Sequence, residues 1–357
     1  MEGNPLVSII MPTFNREKLL PLSIQTVINQ KYANWELIVV DDRSADGTKA
    51  LIESFSKKDG RIRYVANNRK KGPGGARNCG IAVSAGEYLA FLDSDDEWLE
   101  QHLWDSMEVL QNEGVDVCFA LRYERHAGEL VRLDQSENAR QGFDGAVQKL
   151  KPKIKGDLFF FGEGFYEYNL TERFYLFHIN TTVMKKDIIR TSGVFDENLP
   201  ANEDYDFIFK VFHDFGFCFI NRYHMIYNEG PDNLYSFTGR YNMKLEEAVH
   251  NRGLVDRITY NMRYKIQMHK NRKAFIRRSK RIKCKKECLE VIDRFVALKY
   301  FSLGYLNRNV RKGTALLFYL RSLRYRFQRL TLVFILSLLF PSLFDEARLG
   351  PDDLNMG

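Results

Sequence analysis

The stretch that most constrains this chain is Glu87-Tyr88-Leu89-Ala90-Phe91-Leu92-Asp93-Ser94-Asp95-Asp96, an apolar run ending in three carboxylates within four positions. The run reads as a buried strand, and its acidic end is costly. Crowded carboxylates repel one another and resist desolvation, so they persist only when solvated or neutralised by a cation. Oxygen ligands at this density suit Mg²⁺ or Mn²⁺, which keep positions open for phosphate oxygens. The plainer alternative is a solvated turn, with Ser94 or Asp95 capping the next helix.

The residues before it supply the rest of a sheet. Leu6 to Met11, Trp35 to Val40 and Arg61 to Val65 are short apolar runs, separated by helical spacing over Glu17 to Asn29 and Thr48 to Lys57. Such alternation predicts a mostly parallel α/β sheet. Pro12 to Arg16, Asp41 to Ser44 and Asp93 to Asp96 then fall at the carboxyl ends of strands, the edge where open α/β sheets bind ligands. Between the third and fourth strands lies the basic, glycine-rich loop Asn67 to Gly75, with Arg69, Lys70 and Lys71, entering a helix that carries Arg77. A loop of this kind can bind phosphate, although it has neither P-loop nor dinucleotide spacing. Its alternative is a simple connection into the helix.

At 357 residues the chain has ample core for one large domain or one and a half. The five cysteines form no CxxC pair, which argues against a disulfide framework or a zinc knuckle and for a reducing compartment. No basic flank precedes the first apolar run, so a secretory signal is not expected. The net charge of +7 conceals a division: Tyr241 to Arg329 carries 24 Lys/Arg against 6 Asp/Glu, or +18, leaving −11 elsewhere. A basic extension on an acidic body points to an anionic partner.

Four stretches, Val7 to Arg16, Glu36 to Thr48, Gly75 to Asn78 and Phe91 to Asp96, resemble the family 2 glycosyltransferases of the GT-A fold in order and spacing. The resemblance is strong over the first hundred residues. It implies a Rossmann-like, mostly parallel catalytic domain, a UDP-sugar or related nucleotide-sugar donor, and inverting transfer. On matching positions it implies that Asp42 meets the base of the donor and that Asp41 and the loop Pro12, Thr13, Phe14 and Asn15 line the nucleoside pocket. Lys71, Arg77, Asp93 and Ser94 face the sugar diphosphate, and Asp93 with Asp95 forms the DxD pair for Mn or Mg. Asp95 is the expected direct ligand. Independently, a strand-end aspartate can accept the imide N–H of uracil, and a cation on the diphosphate offsets leaving-group charge. Inversion further needs a carboxylate that takes the acceptor proton.

That base is expected in the second hundred residues. Leu99 to Gln111 reads as a helix and Val115 to Tyr123 as a strand; His126 to Lys155 shows no pattern and reads as an acceptor-side insertion. The aromatic stretch Gly156 to Tyr168 reads as core, and Asn180 to Met184 as a short strand. Glu203-Asp204, followed by apolar residues at helical spacing, resembles the family's Glu-Asp motif and implies catalytic roles, with Asp204 the base. Helix capping alone would need one acid, and here Glu203, Asp204 and Asp206 cluster. His224, Glu229, Asp232, Tyr235 and Ser236 occupy the place where related enzymes have a loop over the donor diphosphate, but Gly230 to Asn233 replaces the expected basic version. His213 and His224 read as packing residues.

From Tyr241 the chain reads as basic helices, ending in Leu330 to Phe344, 15 apolar residues with an internal proline. That is shorter than the roughly 20 residues needed to span a bilayer. It suits the membrane interface, with Arg321, Arg324, Arg326 and Arg329 on anionic headgroups. A buried helix or a homo-oligomer contact is the alternative. The expected organisation is therefore a GT-A domain over 1–240, divided into a nucleotide-binding half (1–100) and an acceptor-side half (101–240), with a helical, membrane-associating region over 241–357. The expected function is inverting transfer of a hexosyl or N-acetylhexosaminyl group from a UDP-sugar to a saccharide or lipid-linked acceptor, in cell-surface polysaccharide or lipo-oligosaccharide synthesis. The expected place is the cytoplasmic face of the cell membrane. Three rivals remain: a catalytically inactive GT-A scaffold, a sugar nucleotidyltransferase, whose Gly-rich first loop is missing at Pro12 to Asn15, and a nucleic-acid binder, for which the basic run carries no motif.

Overall fold

The computed structural model describes residues 4–126, 128–172, 176–228 and 252–339. The chain forms two compact units, divided between Gly230 and Pro231.

In the first unit, β1 (Val7–Thr13), β2 (Trp35–Asp41), β3 (Ile62–Ala66) and β4 (Tyr88–Phe91) are the four apolar runs. They alternate with α1 (Leu20–Ile28), α2 (Thr48–Lys58) and α3 (Pro73–Val83). β1 pairs in parallel with β2, Thr13 beside Asp41, and on its other edge with β4, Ile10 beside Phe91. Val7, Ile9, Ile10 and Met11 have no exposure because helices cover both faces, which is why the run is continuous rather than alternating. α3 lies close on the sheet: a Cβ at Gly80 would stand 2.6 Å from Cγ2 of Ile10. Only glycine admits that approach.

The chain continues through β5 (Glu97–Trp98), α4 (His102–Asn112), β6 (Val117–His126), β7 (Glu129–Arg132), α5 (Glu137–Leu150), β8 (Lys153–Lys155), β9 (Leu158–Phe161) and α6 (Phe165–Glu172). β10 (Val183–Lys185), α7 (Ile188–Ser192), α8 (Glu203–Asp214) and β11 (Phe217–Asn228) complete the unit. The main strand order is β3-β2-β1-β4-β10-β6-β11-β9-β8. β10 runs antiparallel between β4 and β6, so the sheet is mixed beyond β4. Successive connections leave β1 in opposite directions, toward β2 and later toward β4, and the loops after β1 and β4 therefore border a crevice at their carboxyl ends.

The segment between His126 and Lys155, where no pattern was expected, holds β7 and α5. The buried face of α5 is Ala139, Gly142 and Ala146, too small to register as apolar periodicity. Tyr168 closes it, its hydroxyl donating to the Gly142 carbonyl at 2.9 Å. The aromatic stretch is core, as expected: Phe161, Phe165, Phe177, Phe212 and Phe217 stack edge and face at 4.7–5.4 Å.

The second unit is helical: α9 (Arg252–Arg278), α10 (Lys285–Asn307), α11 (Lys312–Tyr325) and α12 (Arg329–Leu339). Val255, Phe301, Tyr305, Tyr319, Phe334 and Ile335 form its core. Phe334 and Ile335 of the apolar tail are internal to this unit, while Leu332 and Leu339 are exposed; the part from Phe340 onward lies outside the described residues. Among the described residues no helix is long and apolar enough to cross a membrane.

Candidate active site

The loops after β1 and β2 are locked together. Asn15 adopts a left-handed backbone, φ 52°, which lets its N–H donate to Ser44 Oγ and its Oδ1 accept from the Ala45 N–H, both at 2.8 Å. Asp42 N–H donates to the Thr13 carbonyl at 2.8 Å. Asp41 accepts from the Ser44 N–H at 3.0 Å and the Tyr64 hydroxyl at 3.1 Å. Both aspartates are buried and held in place. Thr13 Oγ1 is buried with no hydrogen-bond partner, and Phe14 stands exposed with Lys71 Nζ 4.0 Å over its ring.

Asp42 also governs the glycine-rich loop. Its carboxylate accepts from Asn67 Nδ2 at 2.6 Å and from the Gly72 N–H at 2.8 Å. The loop folds tightly enough that a Cβ on Gly75 would lie 1.9 Å from the Lys70 carbonyl oxygen. Sequence spacing alone suggested a phosphate loop; the structure shows a loop capped by the aspartate expected to meet the base.

On α3, Arg77 and Asn78 face across to the segment that leads into α8. Asn78 exchanges hydrogen bonds with the backbone of Phe195, Nδ2 to the carbonyl at 2.9 Å and the Phe195 N–H to Oδ1 at 3.1 Å. Arg77, buried, donates to Glu203 Oε1 at 2.5 Å and to Asp93 Oδ1 at 2.7 Å. One guanidinium therefore ties the DxD aspartate to the Glu-Asp pair. Burial opposes its charge, but Asp93 and Glu203 together hold its proton more tightly than usual.

Asp93, Ser94, Asp95 and Asp96 follow β4. Asp93 and Asp95 stay partly open, and Arg16 Nη2 lies 3.3 Å from Asp95 Oδ2. Burial, reinforced by the charge of Asp93, pushes the Asp95 carboxyl up to about 6 against the pull of Arg16. Asp96 is enclosed and pushed well up by burial and by its two acidic neighbours, and it accepts from Asn180 Nδ2 at 2.7 Å and the Asn228 N–H at 2.8 Å. Ser94 is buried beside them.

The acid pair opens α8. Burial and the adjoining Asp204 raise Glu203 to about 7, opposed by Arg77. Asp204 is half-buried and accepts from the Tyr205 N–H at 2.8 Å. It too is raised, by burial first, with Arg77 pulling down and Asp93 pushing up. Asp206 belongs elsewhere, paired with Lys210 at 2.7 Å one turn on.

Among the described residues no three His, Cys, Asp or Glu side chains converge as a complete metal cage. Two partly exposed carboxylates, Asp93 paired with Arg77 and Asp95 with Arg16, suit the octahedral ions instead, which take one or two carboxylates and fill the remaining positions with phosphate and water. Asp93 and Asp95 would hold such an ion.

Behind the acidic loop is a buried polar cluster. His102 Nδ1 lies 3.1 Å from His224 Nδ1, and His224 Nε2 lies 3.2 Å from Asp105 Oδ2. Arg222 donates to Asp105 at 2.7 Å and pairs with Asp157. Both histidines are fully enclosed; burial lowers His102 well below the usual imidazole value, and lowers His224 despite its bond to Asp105. His224 is thus the packing residue its sequence context suggested. The expected lid residues Glu229, Asp232, Tyr235 and Ser236 lie outside the described residues. Sequence reading placed Arg16 and Asn67 in the strand-end and glycine-rich loops without giving them partners, and it missed the roles of Asn180 and Asn228, neutral amides without a motif of their own.

A crevice at the strand ends, a DxD loop and an acid pair joined by one arginine define a GT-A glycosyltransferase fold. Residues 8–169 match the family model described as Glycosyl transferase family 2, and the chain carries a family 2 glycosyltransferase domain. An Escherichia coli UDP-Glc:alpha-D-GlcNAc-diphosphoundecaprenol beta-1,3-glucosyltransferase, WfgD, is 48% identical over 114 residues, 32% of this chain and 44% of that protein. A GalNAc(5)-diNAcBac-PP-undecaprenol beta-1,3-glucosyltransferase of Campylobacter jejuni subsp. jejuni serotype O:2 is 44% identical over 159 residues, 43% of this chain and 50% of that one. The chain thus spans about half the length of these relatives. Among solved structures, S. aureus TarS 1-349 superposes with a TM-score of 0.56 at 14% identity, covering 89% of this chain and 80% of that one, a likeness of fold. Asp204 lies beyond the span matched by the family model.

Proposed function

We propose that the chain transfers a hexosyl group, with inversion, from a UDP-sugar to a hydroxyl of a lipid-linked saccharide in cell-envelope polysaccharide synthesis. The observation that carries this reading is Arg77, whose two ion pairs bring a donor-side aspartate and the acid pair of α8 to one place. Asp42, Asp41 and the loop Pro12 to Asn15 bind and orient the nucleoside; Lys71 closes over Phe14 at its rim. Asp93 and Asp95 hold a divalent cation, which when bound supplies Lewis-acid neutralisation of the departing diphosphate. Arg16 keeps Asp95 charged before the donor arrives.

Asp204 accepts the proton of the acceptor hydroxyl as that oxygen attacks the anomeric carbon; the bond to phosphate breaks, and its electron pair leaves on the nucleoside diphosphate. A raised carboxyl suits a general base, because basicity nearer the working pH favours transfer. Glu203, bonded to Arg77, orients its neighbour. The names of the two bacterial relatives support UDP-glucose and a polyprenyl-diphosphate acceptor. A β product from an α-linked nucleotide sugar is inversion.

The C-terminal unit supplies an anionic-membrane contact in this reading. Leu317, Leu320, Arg321 and Arg324 recur at helical spacing on the exposed side of α11, followed by Phe327, 67% exposed. Leucines and arginines interleaved without acids suit an interfacial position.

The deciding experiment measures nucleoside diphosphate release (UDP or GDP) from UDP-glucose, UDP-galactose, UDP-GlcNAc and GDP-mannose, with Mn²⁺, Mg²⁺ or EDTA, in the presence of a polyprenyl-diphosphate saccharide. UDP-glucose should turn over, EDTA should abolish it, and Asp204→Asn should lower kcat by about 10²–10⁴-fold with donor binding retained. Full activity of Asp204→Asn would refute the base assignment; failure to bind any nucleotide sugar would refute the reading as a whole.

A further inference from the structure

We infer that Asn228, the last residue of β11, is a positioning residue that sets the geometry of the metal-holding loop. The inference rests on the proposed role of Asp93 and Asp95. The register of β11 on β5 places Met225 beside Trp98 and Ile226 beside Glu97, so Asn228 arrives next to Asp95 and Asp96. Its backbone N–H donates to Asp96 Oδ1 at 2.8 Å. Its Nδ2 donates both to the Asp95 carbonyl oxygen at 2.8 Å and to Glu97 Oε1 at 3.0 Å. Its Oδ1 accepts from Arg125 Nη1 at 2.6 Å, and the same nitrogen donates to Glu97 Oε1 at 2.5 Å.

Asn228, Glu97 and Arg125 therefore close a ring of hydrogen bonds around the backbone of the acidic loop, and three consecutive residues, 95 to 97, are fixed from one side chain and its own amide. An amide is required here. Aspartate could not donate to the Asp95 carbonyl and would face Glu97 with like charge; leucine would keep the backbone bond to Asp96 but make none of the side-chain bonds. The direction of the Asp95 carboxylate follows from its backbone, which this ring holds. Outer partners that orient ligands in this way affect metal affinity strongly, by about 10–100-fold when removed.

The test is Mn²⁺ binding in the presence of UDP, read from the loss of the free Mn²⁺ electron paramagnetic resonance signal, for the full chain, Asn228→Leu, Arg125→Met and Asp95→Ala. UDP binding is measured separately in EDTA. Asn228→Leu should weaken Mn²⁺ about 10–100-fold, and Arg125→Met about three- to tenfold, with metal-free UDP affinity unchanged in both. Arg125 is a third exposed, so its variant keeps the test available if Asn228→Leu does not fold. Mn²⁺ affinities within twofold of the wild type in whichever variants fold, with Asp95→Ala weakened, would overturn the positioning role and leave the metal site standing. No Mn²⁺ binding by the wild type, or none lost in Asp95→Ala, would overturn the metal site and this inference together.

Discussion

Replacing His102 by glutamine should flatten the acid sensitivity of the first unit by a calculable amount. His102 is fully enclosed against Trp98, its ring 4.4 Å from the indole, and Nε2 has no partner. The groups facing it are His224 and, through that ring, Asp105, Arg222 and Asp157. Its imidazole stays neutral in the fold, held well below the ordinary value, whereas in the unfolded chain it takes a proton near pH 6.5. A depressed histidine therefore removes stability as pH falls through 6.5, because the unfolded chain binds the extra proton. For a group neutral throughout in the fold, lowering the pH from 7.5 to 5.5 costs about 1.4 kcal/mol. Glutamine is neutral at every pH and can still reach His224 Nδ1, so the stability difference between wild type and His102→Gln should shift by that amount in favour of the variant at pH 5.5. Taking the difference cancels the raised acids Asp95 and Glu203, whose contributions run the opposite way. For a unit of this size the shift corresponds to about 3–6 °C in melting temperature. All three tryptophans, Trp35, Trp98 and Trp104, lie in the first unit, so urea unfolding followed by indole fluorescence reports on it alone. Parallel pH profiles for the two proteins would refute a neutral, enclosed His102.

Arg77→Met should cost about 3–5 kcal/mol in the same assay, since it strands the buried Glu203 carboxylate. Adding Glu203→Leu should recover a large part of that loss; an additive pair would show that the two side chains do not interact. Gly75→Ala forces a methyl group against the Lys70 carbonyl and should weaken UDP binding through the loop that Asp42 caps, measured by calorimetry. Leu317→Gln with Leu320→Gln should lower co-sedimentation with phosphatidylglycerol vesicles at least tenfold and leave the melting temperature within about 2 °C, because both side chains are exposed; undiminished sedimentation would remove α11 from the membrane contact.

The donor side of the site was legible because its parts are consecutive. Val7 to Asn15, Leu37 to Asp42 and Leu89 to Asp95 each place a strand and its terminal polar residues within one short stretch, and strand ends of a parallel sheet meet by construction. What the stretches do to one another was not legible. Arg77 reads as one more phosphate-facing cation until Glu203, 126 positions away, is seen on its guanidinium. Asn180 and Asn228 grip Asp96 from 84 and 132 positions away, and a lone neutral amide in a strand carries no signal of a partner. α5 escaped because its buried face is made of small residues, and hydrophobicity alone does not separate the face of the apolar tail that packs on Tyr319 from one turned to lipid.

The embrace of α8 by Arg77 and Asn78 bears on how such a chain can diversify. A recombination junction near residue 100 falls between the strand-end aspartates after β1, β2 and β4 and the acid pair of α8. The stitching runs across it. Asn78 holds Phe195 and Arg77 holds Glu203, so the grafted half would arrive needing an arginine and an asparagine in the half left behind. Rewriting the segment around α5 leaves those four residues alone, whereas exchanging halves between distant homologues does not.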